Sequence, residues 1–133
     1  MPPDEKSREV GAWLARARDD VRAARVDLDA DPPLLADAAF HCQQAVEKAL
    51  KALLTLREQP FRKTHDIGEL AMACLVHEPS LEGLLREAAP LTEYAWRFRY
   101  PGEVFEPDRD EVVAALDIAT QVVAAVPAVV DAR

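Results

Sequence analysis

Phe40-His41-Cys42-Gln43-Gln44-Ala45-Val46-Glu47-Lys48-Ala49-Leu50-Lys51-Ala52-Leu53-Leu54 carries two stripes at helical spacing. Cys42, Val46, Ala49, Leu50 and Leu53, joined upstream by Leu35, recur at three and four and predict a buried face. His41, Gln44, Lys48, Lys51 and Thr55 recur at the same spacing, with Gln43 and Glu47 beside them, and make a second, polar face. A helix in a small bundle needs only one buried stripe. The polar stripe reads either as a solvated surface or as a dimer or partner face. His41 and the Gln43-Gln44 pair favour the second reading, because Glu and Lys would suffice for solubility.

Outward from this helix the chain is punctuated by turn residues. Asp31-Pro32-Pro33 precedes it, with Asp31 expected to cap and a proline to open the helix; Gln59-Pro60 stops it. Upstream, Val10, Trp13, Leu14, Ala17, Val21, Ala24 and Leu28 form one stripe of a helix from about Ser7 to Ala30, and Arg16, Asp19, Asp20 and Asp27 fall on its polar side. Downstream, Asp66 and Glu69 have capping-box spacing before Ile67, Leu70, Ala71 and Cys74. A fourth segment runs from Leu81 to Phe98 with a break at Pro90, and Pro101-Gly102 ends it. Asp108 and Glu111 repeat the capping spacing before Val112, Leu116, Ala119, Val123 and Val126, and Pro127 is expected to kink or end this last helix. No stretch alternates as a half-buried strand would. The fold class is therefore all-α, a compact antiparallel bundle of four to five helices in a single domain spanning residues 1–133.

Composition narrows the chemistry. The 133 residues carry 16 basic and 24 acidic side chains, a net charge of −8. That disfavours non-specific nucleic-acid binding, which rests on excess Lys and Arg, but leaves room for a local basic patch. Cys42 and Cys74 are too few for a disulfide framework. Met-Pro-Pro-Asp-Glu-Lys is no signal peptide, and no apolar run approaches the roughly 18 residues of a membrane span, so a cytoplasmic protein with no membrane partner is expected. Four glycines at positions 11, 68, 83 and 102 make no phosphate cradle, and there is no Gly-x-Ser-x-Gly nucleophile motif. Cys74 and His77 lie three apart, but no further ligand accompanies them, so neither a metal site nor a cofactor is expected.

Two segments stand outside the bundle pattern. Phe61-Arg62-Lys63-Thr64-His65-Asp66 is basic and aromatic at a helix start, where an anion is favoured. Tyr94-Ala95-Trp96-Arg97-Phe98-Arg99-Tyr100-Pro101 interleaves rings with guanidinium groups. Such a stretch suits a nucleobase and its phosphate, or equally a core packing of rings with arginines at a helix C-terminus. Arg62, Lys63, His65, Arg97, Arg99 and Tyr100 are the candidate phosphate-binding set. They are expected to meet at one pole of the bundle.

The stretch from Phe40 to Leu54 resembles the central helix of the HEPN family. Thr64-His65-Asp66-Ile67 with Leu70, then Tyr94 with Arg99-Tyr100-Pro101, resemble two further family blocks in order, and Trp13, Ala17, Asp20 and Leu28 fit its opening. The resemblance implies a helical bundle that dimerises and is often paired with a minimal nucleotidyltransferase in a toxin–antitoxin type module. It also implies, in many members, a metal-independent ribonuclease whose Arg and His are separated by four to six residues. Here that motif is missing. Arg57 and His65 have seven residues between them, Arg62 and His65 have two, and no His follows Arg97 or Arg99. The expected function is a binding and regulatory protein for a nucleotide or RNA, with little or no activity alone. The alternative is a ribonuclease toxin using His65. His41, Gln44, Lys48 and Lys51 are the candidate dimer or partner face.

Overall fold

The computed structural model describes residues 3–96 and 106–131. Its helices are α1 (Pro3–Asp29), α2 (Leu35–Leu56), α3 (Ile67–His77), α4 (Glu82–Ala88) and α5 (Arg109–Asp131), with 3₁₀ turns at Pro79–Leu81 and Ala89–Ala95. There is no strand among the described residues. The all-α helical bundle expected from the spacing is what the chain forms.

Helix α2 is central because it is buried on nearly every side. It packs against α1, α3, α5 and the second 3₁₀ turn. Ala38, Ala39, Ala45, Ala49 and Ala52 are wholly buried on α2, as are Ala17 and Ala24 on α1. Small side chains at such contacts let helix axes approach closely. The α1–α2 hairpin is antiparallel, and its register is fixed by cross-pairs. Lys6 lies 3.8 Å from Glu58, the Lys51 ammonium sits 5.5 Å above the Trp13 ring, and Lys48 donates to Asp20 at 2.7 Å. At the turn, the Leu34 amide donates to the Asp27 carbonyl at 2.9 Å. Asp31 does not cap α2. The helix starts at Leu35 behind an N-cap residue, Leu34, that makes no side-chain bond.

The end of α2 sends the chain backwards. Glu58 adopts φ 53°, its amide donates to Thr55 O at 3.0 Å, and the Gln59 amide donates to Leu54 O at 2.9 Å. This pair of bonds is the Schellman arrangement, built on Glu where Gly is commoner. Residues 57–66 then return along α2, so α3 runs in the same sense as α2, and at this step the bundle is parallel rather than antiparallel as the short connections implied. His65 O meets Gln43, Cys74 Sγ meets Leu50 O at 3.6 Å, and Glu78 meets Arg57. Asp66 caps α3, accepting from the Glu69 amide at 3.3 Å, and Asp108 does the same for α5 with Glu111 at 2.8 Å.

Helix α5 departs from two expectations. Pro127 does not end it. The helix continues through it to Asp131, forfeiting the one ladder bond that the residue 127 amide would donate to the Val123 carbonyl. The stretch Arg109–Val129 is also long and apolar enough to cross a membrane by length and composition. This corrects the expectation that no apolar run approaches that length, because Asp117 and Gln121 interrupt the stretch without lowering its mean hydropathy below that of a span. In the fold it packs against α1, α2 and α4 through Val112, Ala115, Ala119, Val122, Val123 and Val126, and about a third of its apolar stretch is buried.

Candidate functional site

The polar stripe of α2 is not a free surface. It is the inner wall of two carboxylate–histidine clusters. The first gathers around Glu47, whose side chain is only 5% exposed. Gln43, wholly buried, donates through Nε2 to Glu47 Oε1 and to the His65 carbonyl, both at 3.0 Å. Lys51 donates to Glu47 Oε2 at 2.9 Å, and the His65 Nδ1 lies 2.8 Å from Glu47 Oε1. Gln44 donates through Nε2 to Gln43 Oε1 at 2.6 Å. Burial by itself would raise the Glu47 carboxyl, but the donors Gln43, His65 and Lys51 and the lysine charge outweigh it and hold it below its ordinary value. Lys51 in turn is roofed by the Trp13 and Phe61 rings, which meet edge to face at 6.5 Å.

This cluster presents His65. With Nδ1 held by an ionised carboxylate, the ring keeps its Nε2 edge outward, and the side chain is 67% exposed. A carboxylate on one imidazole nitrogen fixes the tautomer and makes the other nitrogen a better acceptor. The segment is anchored on both flanks. Thr64 Oγ1 accepts from the Asp66 amide at 3.0 Å, and the Ile67 amide donates to Thr92 Oγ1 at 3.1 Å. That last bond brings the start of α3 to the second 3₁₀ turn, the stretch that leads toward Arg97. Arg97, Arg99 and Tyr100 themselves lie outside the described residues. Arg62 is exposed but committed. Its Nε donates to both Glu69 oxygens at 2.9 Å, which raises the arginine and lowers the glutamate from their ordinary values. Lys63 is exposed, with no ion-pair partner among the described residues.

The second cluster joins α1 to α2 near the hairpin turn. Asp20, buried, accepts from Lys48 at 2.7 Å, and its other oxygen lies 2.8 Å from His41 Nδ1. His41 Nε2 is 3.5 Å from Asp37. Asp27 is buried behind them. Burial first, and then the neighbouring Asp37 carboxyl, push the Asp27 carboxyl up to about 6, while His41 opposes the shift.

A HEPN domain model matches residues 10–129. The chain belongs to the HEPN family. The crystal structure of TT1696 from Thermus thermophilus is similar to this HEPN domain, with 33% sequence identity and a TM-score of 0.74; the match covers 89% of this chain and 95% of that one. No curated protein matched the sequence.

Several residues of this HEPN domain sit otherwise than their spacing implied. Lys51 does not stand on an outer face, since its side chain is 9% exposed and its charge is spent on Glu47. Thr55 is buried too, bonded to Lys51 O at 2.8 Å. His41, Gln44 and Lys48 are half-buried, so they alone of the proposed face remain open to a partner. Asp20 and Asp27 were placed on the polar side of α1 and are buried; Lys48 and His41 meet Asp20 from α2, and Asp37 and His41 lie beside Asp27. Glu47 and Gln43 are the residues that spacing passed over as candidates. The available signal was a Gln-Gln pair one turn ahead of a glutamate on a helix rich in Ala and Leu, where an uncompensated carboxylate would be costly. Cys42 and Cys74 are wholly buried thiols, each pushed up to about 12 by burial, with Asp20 and Asp27 adding to it for Cys42. His77 faces Gln59 at 3.3 Å rather than Cys74.

Proposed function

We propose that this HEPN domain is a binding and regulatory module for a phosphate-bearing ligand, a nucleotide or an RNA end. In this reading it acts as a homodimer and as the partner of a minimal nucleotidyltransferase in a toxin–antitoxin type module. One observation carries the ligand reading: His65, held by buried Glu47, offers a two-thirds exposed imidazole beside exposed Lys63 and the capped start of α3. A helix start and the Lys63 ammonium suit a phosphate group, and His65 adds a donor at Nε2 when its ring carries both protons. The binding reading is preferred to the enzymatic one because catalysis of phosphodiester cleavage needs a second group to hold the developing charge. Among the described residues the nearest arginine in sequence, Arg62, is neutralised by Glu69.

The test is calorimetric titration of the purified chain with ATP and, separately, with a short single-stranded RNA. His65→Gln and Lys63→Ala are each expected to weaken binding about tenfold, the loss of one charge-assisted hydrogen bond. Unchanged affinity in both variants would sink the assignment.

The ribonuclease reading keeps one specific observation in its favour, since the Glu47–His65 pair is an arrangement that can serve a general base. The same preparations incubated with RNA in EDTA separate the two readings. Cleavage that disappears in His65→Gln promotes the enzyme, whereas equal background leaves the binding module.

The homodimer would use helix faces that include His41, Gln44 and Lys48. Static light scattering at micromolar concentration is expected to give twice 14.7 kDa. A single 14.7 kDa species would remove the dimer from the proposal.

A further inference from the structure

The cluster at the α1–α2 turn has a charge arrangement that the protein alone leaves unbalanced. One ligand atom each from Asp27, Asp37 and His41 falls within 4.8 Å of the other two. Asp27 is 8% exposed, and its Oδ2 has no hydrogen-bond partner among the described residues. Leaving a buried carboxylate oxygen unmet is costly. The nearby cation does not resolve it, because Lys48 is bound to Asp20. His41 gives its Nδ1 side to Asp20, which turns Nε2 toward Asp37. A neutral ring would then aim a lone pair at a carboxylate, beside a second carboxylate with an unused oxygen. Three bases converge on one point; a proton held between the Asp27 and Asp37 carboxyls would satisfy the two acids, whereas a bound cation would satisfy them and also take the His41 lone pair.

We propose that Asp27, Asp37 and His41 bind one divalent transition-metal ion of the Zn²⁺ or Mn²⁺ kind. One imidazole nitrogen and two carboxylate oxygens are a donor set these ions accept, with water completing the shell. Asp20 plays the orienting part. A carboxylate on the far nitrogen fixes the tautomer of a ligating histidine, and Lys48 balances the charge of that carboxylate. The ligands come from the last turn of α1 and the first two turns of α2, so the ion would clamp the hairpin at its turn. The site is separate from the Glu47–His65 cluster and does not depend on the function proposed for it.

The test uses the full chain stripped with EDTA and dialysed. Calorimetric titration with Zn²⁺ alone is expected to show one ion per chain, with the melting temperature rising as Zn²⁺ is added. Asp37→Asn, an exposed position that does not threaten the fold, and His41→Gln are each expected to weaken Zn²⁺ binding about tenfold or more. Asp37→Asn should melt in EDTA close to the parent, and His65→Gln should bind Zn²⁺ as the parent does. Absence of binding up to about 1 mM Zn²⁺, which corresponds to an affinity too weak for a built site, would overturn the proposal in favour of an imidazolium at His41. Binding retained in Asp37→Asn, or lost in His65→Gln, would overturn it equally, since the ion would then sit elsewhere.

Discussion

Glu47→Gln is expected to lower the stability of the folded chain by about 3 kcal/mol, because it leaves the Lys51 ammonium buried without its counter-charge. The geometry makes the change costly. Lys51 is 9% exposed and reaches Glu47 at 2.9 Å; its other neighbours are the faces of Trp13 and Phe61. Those rings retain part of the cation's stabilisation, which is why the expected value stands at the lower end for broken buried pairs. For a domain of this size the change corresponds to a fall in Tm of roughly 10 °C. Combining Glu47→Gln with Lys51→Met should recover most of the loss, because a buried pair replaced as a unit is often neutral.

Acid should expose the same carboxylate. Its folded-state value lies below the ordinary 4.5, so the ionised form is preferred by the folded chain. The stability it contributes is complete above the unfolded value and is lost as the pH falls through the folded one. Urea melts from pH 7 down to pH 3 are expected to show this component in the parent and not in Glu47→Gln. A variant within about 0.5 kcal/mol of the parent at pH 7, the range of ordinary surface substitutions, would mean that Lys51 does not depend on Glu47.

That a glutamate in the middle of a polar stripe is a buried anchor shows where spacing stops being informative. Periodicity distinguishes apolar from polar positions, and on α2 it does so correctly for Cys42, Val46, Ala49, Leu50 and Leu53, all wholly buried. It cannot tell a polar side chain facing water from one facing a partner on another helix. Asp20 and Asp27 on α1 and Glu47 and Lys51 on α2 look like solvated residues one helix at a time; docking the helices buries all four, pairing Asp20 with Lys48 across the hairpin and closing over the Glu47–Lys51 pair of α2. The capping signals were more readable because they are local. Asp66 with Glu69 and Asp108 with Glu111 act within three residues, and both bonds form. Asp31 failed for the converse reason. Its apparent cap function was overridden by the Leu34–Asp27 backbone bond, a tertiary constraint of the hairpin. His65 was legible as a candidate from its own block, but the group that positions it, Glu47, lies 18 residues upstream on another helix. The reversal at Glu58 that unites them has no glycine to mark it.

Leu50→Ala is expected to cost about 3 kcal/mol, the middle of the range for removing a fully buried leucine side chain. The cost of such a change depends on how far the surroundings relax into the cavity. At Leu50 relaxation is restricted. The side chain is wholly buried, its carbonyl is tied to Cys74 Sγ, and α2 is packed against α1, α3 and α5, so no single helix can close the space without opening another contact. Val76→Ala provides the contrast. Val76 is 78% exposed on α3, and its truncation should stay within about 0.5 kcal/mol. Both variants keep Glu47, His65 and the caps of α3, so ligand affinity measured on the folded fraction should match the parent. Urea unfolding checks the stability difference, with the slope m unchanged because the surface exposed on unfolding barely differs. A cost below about 1 kcal/mol at Leu50 would show that the site can collapse, and that α2 is a replaceable layer of the bundle rather than its axis. A large cost has a consequence for the polar clusters. If α2 cannot shift to close a leucine-sized hole, it also holds the backbone of Gln43, Glu47 and Lys51 fixed, and a fixed backbone is what allows one buried carboxylate to hold His65 in a single orientation at the surface.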